Sequence, residues 1–537
     1  MQSHAFQHKA LKSKSKAKDD LQSLPMTALL EKLGSSEKGL SQSEAKKRLL
    51  QYGPNTLASR VDNKDGIDQA VLSGLKNANV LKGYHINHFL IPWVVAIAMF
   101  METLDGTIVG VAIPDIARSF AINPISLKLA LTSYLLSLAV FIPISGWMAD
   151  RFSSRKVFCW AMVIFTMSSL CCGLSTSLPW LVVMRTVQGI GGAMMMPVGR
   201  LIILQMFSKE ERLRVMTFVV VPALVGPALG PTIGGLILHV LSWHWIFFVN
   251  IPFGILGILI ILHYVPTLPL EHTHKLDWQG FVLFGTGLAT LTLTLAIIGE
   301  AFKYWIYASL FGTVSIVLLM AYFLHSRHQE YPILNLKLFR SSAFFVSIFG
   351  NFSTRLATGA IPFLLPLLLQ VAWEKSALYS GLLFISLGVG MMSGRGLFNR
   401  FFLPYFSYRA MISLNTIAIS ILMISISFCI PSENSVLLGI LLFFQGIFTA
   451  QQFTTLARLV YANVGEQHYS QTTSIMSTVQ QFAGGTGIAI AAILLHTIAK
   501  TNHISPFSSI VFQWSFILLG VMPLFILPFV GRLKERM

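Results

Sequence analysis

From His88 onward the chain repeats one pattern: an apolar run of about twenty residues, then a short polar break. Fourteen such runs are read, near 88–113, 127–149, 156–176, 178–204, 215–238, 245–264, 278–298, 304–324, 342–370, 377–398, 408–430, 435–456, 471–496 and 508–531. A stretch of about 18 or more apolar residues with few charges is long enough, as a helix, to cross the hydrocarbon of a bilayer. The pattern therefore predicts a bundle of fourteen spanning helices. Residues 1–87 differ: they are polar, with helical periodicity over Thr27–Leu33 and Ser41–Leu50, a turn signal at Gly53-Pro54-Asn55 and a linker over 58–87. The tail is too long for a secretory signal and lacks a short apolar core followed by small residues.

Composition narrows the class. Of 537 residues, 54% are hydrophobic and 11% charged, and the mean hydropathy is +0.67. Soluble domains carry about 25% charge, so a water-soluble enzyme, a disordered chain and a collagen-like chain are excluded. Forty glycines and 22 prolines suit spanning helices, which tolerate both.

The net charge is 39 − 22 = +17. Outside the tail its basic residues fall mostly in short breaks between apolar runs, which is the signature of an oriented bundle and not of a nucleic-acid groove. With the tail placed inside, sixteen Lys and Arg lie in inward loops and five (Arg118, Lys128, Lys303, Lys375 and Lys500) in outward ones. This predicts a multi-pass protein of the cytoplasmic (inner) membrane with both termini cytoplasmic. Within the tail, Lys9–Lys18 is a lysine-rich stretch suited to anionic headgroups. Cys159, Cys171, Cys172 and Cys429 all lie in apolar runs, so no disulfide framework, metal site or cofactor is expected.

Four charged residues lie too deep to reach the interface: Glu102 and Asp105 in the first run, Arg185 in the fourth and Arg355 in the ninth. A charge at mid-membrane is costly and marks a substrate or ion path when it faces the bundle interior. Glu102 and Asp105 are three apart and share one helix side. Two acids and two bases are expected to neutralise one another in part, with an interior structural ion pair as the alternative to a functional role. Gln370, Gln445, Gln451 and Gln452 are further candidates for lining a cavity. Gly484, Gly485, Gly487 and Met194–Met196 read as packing.

Several segments carry a family resemblance. Gly146-Trp-Met-Ala-Asp150-Arg151-Phe-Ser-Ser-Arg155-Lys156 resembles the signature loop of the major facilitator superfamily, with Ser153 at the usual glycine and Ser154 at a usual basic residue. The resemblance implies a gating latch on Gly146, Asp150, Arg151, Arg155 and Lys156. Arg185-Thr-Val-Gln188-Gly189 resembles the fourth-helix motif, in which the arginine takes part in proton coupling. Gly226-Pro227-Ala-Leu-Gly230-Pro231-Thr-Ile-Gly234-Gly235 looks like the antiporter motif, a hinge on a bent helix. Leu104-Asp105-Gly-Thr107 and Trp243-His-Trp-Ile-Phe-Phe-Val-Asn250 resemble the first- and sixth-helix segments of the fourteen-span drug:proton antiporter family.

Five motifs in order imply an all-α polytopic membrane protein with the major facilitator fold. Its parts would be a tail (1–87), a six-helix half (88–264), two extra helices with their flanking loops (265–341) and a second six-helix half (342–537). They also imply proton-coupled multidrug efflux. Protons and a small molecule would be its ligands, with Asp105, Glu102, Arg185, Arg355 and Gln188 serving coupling and substrate. A periplasmic adaptor or an outer-membrane channel would be its protein partner. Nucleic acid is not expected as a partner.

The tail over about residues 24–57, on the residues from Gly39 to Leu57, resembles the N-terminal segment of cation-transporting P-type ATPases, yet no D-K-T-G and no Walker sequence follows. Two rival readings stay open. Arg355 could hold a carboxylate bidentately in a metabolite, siderophore or organic-anion carrier, or the tail could dock a regulatory subunit on an ion pump. No nucleophile–base pair is visible, so an enzyme is not expected.

Overall fold

The computed structural model describes residues 90–207, 209–265, 275–298, 304–401, 406–465, 468–531 and 533. The tail, with both of its expected helices, lies outside them. The first half holds α1 (Leu90–Phe120), α2 (Pro124–Phe152), α3 (Ser154–Gly173), α4 (Leu178–Met206), α5 (Lys209–Val240) and α6 (Trp245–Tyr264). The extra pair is α7 (Trp278–Ile298) and α8 (Trp305–His328). The second half holds α9 (Ser342–Ala372), α10 (Ala377–Phe401), α11 (Tyr408–Cys429), α12 (Ser435–Ala462), α13 (Tyr469–Asn502) and α14 (Ser509–Val530).

Among the described residues thirteen helices are long and apolar enough to cross a membrane. The remaining one, α5, is 32 residues long, with an apolar stretch over Val225–Val240. Together they match the fourteen runs of the sequence.

Helix starts follow local chemistry. The side chains of Ser341, Ser407 and Asn434 accept from the backbone N–H groups of Phe344, Ala410 and Leu437, so α9, α11 and α12 open on capped turns. α13 ends at His503, which takes the left-handed conformation at φ 56°.

Within the first half α1 packs on α5, α4 and α6, and α4 packs on α2 and α3. In the second half α12 packs on α10, α11 and α9, while α13 lies along α9. Three pairs join the halves, α5 with α10, α2 with α13 and α1 with α9.

The extra helices stand to one side. α7 leans on α2 and α13, and α8 packs on α7, most of its surface facing outward. Lys128 was expected in an outward loop. Instead it is buried on α2, and its Nζ donates to the Ala296 carbonyl in the last turn of α7 at 3.1 Å. A cation at the negative end of a helix is favourably placed there.

Glycine lets α5 serve two neighbours. A Cβ on Gly226, Gly230 or Gly234 would collide with Thr103, Thr107 or Ile108 of α1, whereas one on Gly235 would collide with Ala377 and Gly381 of α10. The first three repeat every four residues and make a smooth face for α1. The fourth faces the other half, where Thr232 Oγ1 also donates to the Gly381 carbonyl at 2.8 Å. Nearby, Gln370 Nε2 of α9 donates to the Val111 carbonyl of α1 at 2.9 Å. The halves are thus locked together at the end of the bundle away from the 146–156 loop.

Candidate functional site

Asp105 lies at the middle of α1 and is fully buried. Its Oδ2 pairs with Arg185 Nη1 of α4. Its Oδ1 accepts from Gln188 Nε2 at 2.9 Å and from Asn250 Nδ2 of α6 at 3.1 Å. Gln188 also donates to Ser169 Oγ of α3 at 2.7 Å and accepts from Arg185 Nη1 at 2.7 Å. Arg185 Nε points to the Ala130 carbonyl of α2 at 3.4 Å, and the guanidinium carbon sits 4.1 Å from the centroid of the Tyr134 ring. Five helices of one half therefore meet in one polar cluster around this carboxylate, α4 and α6 bonding it directly and α2 and α3 bonding its partners. Its charge is compensated by one arginine and two amides, the arrangement that makes a buried ion pair tolerable.

Glu102, one turn earlier on α1, is also buried, but its Oε2 has no hydrogen-bond partner. Its side chain faces α4: a Cβ on Gly192 would stand 3.6 Å from the Glu102 Cγ. The shared helix side expected from the spacing is found, since both carboxyls look toward α4. The expected mutual neutralisation is found only for Asp105 with Arg185.

Arg355 belongs to the other half. It is partly buried near the middle of α9, its Nε is inaccessible and has no hydrogen-bond partner, and among the described residues no carboxylate lies within 4.0 Å of it.

The loop between α2 and α3 keeps its motif residues at the surface: Gly146, Arg151 and Lys156 are exposed, Asp150 and Arg155 half-buried. Arg155 Nη2 donates to the Leu262 carbonyl near the end of α6 at 2.5 Å, which ties α3 to α6 within one half. Ser153 sits at φ 75°, ψ 130°, a backbone region that side chains disfavour and glycine accepts, which accounts physically for the glycine usual at this place.

Sequence reasoning named Asp105, Arg185 and Gln188 together, and the structure joins them. It missed Asn250, Ser169 and Tyr134 as their partners. Asn250 carried a signal, a lone amide opening an apolar run, but nothing local says which helix it faces. Gln370 is engaged between the halves, while Gln445, Gln451 and Gln452 are fully buried in α12, with Gln452 Nε2 on Thr416 Oγ1 at 3.0 Å.

Comparison with known proteins places this architecture. The family description "Major Facilitator Superfamily" matches residues 95–488. The chain belongs to the major facilitator superfamily. As a member of that superfamily it is a membrane transporter and not an enzyme.

A protein of Escherichia fergusonii carrying the name "Putative multidrug resistance protein MdtD" is 35% identical over 441 residues, covering 81% of this chain and 93% of the relative. One of the same name from Enterobacter sp. (strain 638) is 35% identical over 403 residues, covering 75% and 85%. Solved structures of the same fold include an auto-inhibited POT family peptide transporter (TM-score 0.60, 12% identity) and a D-xylose-proton symporter (TM-score 0.59, 14% identity). Each aligns with 82% of this chain and 98% of its own. A second description, "Cation transporter/ATPase, N-terminus", matches residues 21–64 of the tail.

Proposed function

We propose that this superfamily member exports small amphipathic molecules across the inner membrane in exchange for protons, with both termini cytoplasmic. The relatives' multidrug-resistance names support export of drug-like compounds. The observation that carries the proton-coupled part is the contrast on α1: one carboxyl fully engaged at Asp105, and one at Glu102 whose Oε2 is buried without a partner.

A carboxylate with one oxygen buried away from any hydrogen-bond partner is costly in a water-poor interior, and taking up a proton lowers that cost. When the bundle opens and water reaches Glu102, the charged form becomes affordable and the proton leaves. Glu102 is thus assigned the exchanged proton. Asp105, Arg185 and Gln188 are assigned the rigid joint that holds α1 against α3, α4 and α6.

Alternating access follows from the interfaces between the halves. In the present state α5 and α10 are latched through Thr232 and Gly381, and α1 and α9 through Gln370 and Val111. Opening that end requires both bonds to part, and Pro222, Pro227 and Pro231 within α5 give the helix places to bend. Asp150, Arg151 and the exposed Lys156 are proposed to latch the opposite end in the alternate state. The domain limits 88–264 and 342–537 mark the two moving bodies in this reading.

The test is uptake of rhodamine B, a fluorescent amphipathic dye bearing both a cationic centre and a carboxylate, into inverted vesicles carrying the protein. Uptake should require an imposed pH gradient and stop when nigericin collapses it. Uptake unaffected by the collapse would refute proton coupling.

A further inference from the structure

The mechanism just proposed uses the carboxyls of the first half and leaves one deep charge idle. We infer that Arg355 anchors a carboxylate of the transported molecule, so that the preferred cargo is an amphipathic organic acid or zwitterion and not a simple lipophilic cation. The inference rests on the export reading above and specifies its substrate class.

Three observations carry it. The first is the contrast between the two deep arginines. Each has one buried nitrogen without a partner, Nη2 of Arg185 and Nε of Arg355, but Arg185 is matched by Asp105, Gln188, a carbonyl and the Tyr134 ring, whereas Arg355 has no carboxylate within 4.0 Å among the described residues. An uncompensated arginine at mid-membrane costs at least about 2.5 kcal/mol on insertion scales. A structural role would have supplied the anion from the chain, as it does at Arg185.

The second is location. The vacant Cβ position of Gly484 on α13 lies 3.5 Å from Arg355 Nε and 3.7 Å from Leu135 Cδ1 of α2. Arg355 therefore sits where α9 and α13 of one half meet α2 of the other, at the seam that alternating access opens and closes. It is partly accessible, not sealed as Arg185 is.

The third is the neighbourhood. Gly484 leaves room beside the guanidinium. Asn351, four residues earlier on the same side of α9, ends in a buried amide whose Oδ1 is also without a partner. The guanidinium can grip a carboxylate through two parallel N–H···O bonds, and the amide oxygen one turn away can accept from a donor group of the same molecule and so orient it.

The test uses the full-length purified protein and a matched pair of probes, N-dansyl-phenylalanine and its methyl ester, which differ in the carboxylate alone. Binding is read as energy transfer from tryptophan to dansyl. The wild type should bind the acid at least about tenfold more tightly than the ester, as expected for hydrogen bonds to a charged group. Arg355→Gln should erase that preference by weakening the acid and not the ester. Arg355→Lys should recover only part of it, because an ammonium cannot make the bidentate grip.

Gly484→Val, which fills the space beside Arg355 and leaves its charge, should weaken the acid as well. That variant keeps the test sharp should Arg355→Gln fold poorly. Equal binding of acid and ester by the wild type, binding of neither, or an acid preference that survives in Arg355→Gln would overturn the assignment.

Proteoliposome flux separates the two readings. An Arg355-dependent acid preference with flux indifferent to the pH gradient refutes proton-coupled export and leaves the anchor standing. Gradient-driven flux with acid and ester carried alike refutes the anchor and leaves proton coupling standing.

Discussion

Glu102 and Asp105 stand one turn apart on α1 and look toward the same helix, α4, yet their circumstances are opposite. Asp105 is bound by Arg185, Gln188 and Asn250, whereas Glu102 Oε2 is buried without a hydrogen-bond partner. The division matters because a carboxylate fixed by three partners is a poor proton carrier: protonating it would strand an arginine cation. A carboxyl with no such partner gains and loses a proton without dismantling its surroundings.

The first prediction concerns the fixed member. Asp105→Asn leaves Arg185 a buried cation without its anion, a change that typically costs about 3–5 kcal/mol. The variant should melt well below the wild type in detergent and accumulate poorly. Replacing both partners by apolar residues, Asp105→Leu with Arg185→Met, should lose less stability than either single change. A variant Asp105→Asn as stable as the wild type would show that the five-helix joint does not depend on this pair.

Ser153 gives a prediction of the opposite sign. It occupies φ 75° with its Oγ buried and without a partner. Ser153→Gly removes the backbone strain and the stranded hydroxyl together, and should stabilise the protein by about 1 kcal/mol. An increase in melting temperature checks this. A decrease would mean that the serine is held by something other than the turn itself.

Gly235 tests the seal between the halves. A Cβ there runs into Ala377 and Gly381 of α10, while one at Gly226 runs into Thr103 within the same half. Gly235→Ala should shift the population away from the state in which α5 and α10 touch. The readout is labelling of Thr232→Cys by a membrane-impermeant maleimide: several-fold faster in the Gly235→Ala background, little changed with Gly226→Ala.

Much of this was legible in the sequence because hydrophobic run length and motif order are local signals. Fourteen runs gave fourteen helices, and the Asp105, Arg185 and Gln188 motifs point into one cluster. What the sequence did not show is direction across helices. Asn250 and Ser169 complete the Asp105 site from α6 and α3, and no window of neighbouring residues encodes that meeting.

Lys128 illustrates the same limit. Near a run's end it reads as a loop charge, but Ala296, far along the chain, supplies a carbonyl that makes its burial tolerable. The glycine run 226–235 read as a hinge, and its spacing also encodes two packing faces, one for α1 and one for α10. The four deep charges were expected to compensate one another. Only two do, because Glu102 and Arg355 belong to different halves.

The measurement that bears most directly on the assignment of the proton is made with Glu102→Gln in inverted vesicles. The amide keeps the size of the side chain and cannot exchange a proton. Gradient-driven accumulation of dye should fall to the level of empty vesicles, while exchange of labelled for unlabelled dye at equal pH on both sides continues near the wild-type rate. Accumulation that survives in Glu102→Gln and follows the pH gradient as in the wild type would contradict the account and place the exchanged proton elsewhere.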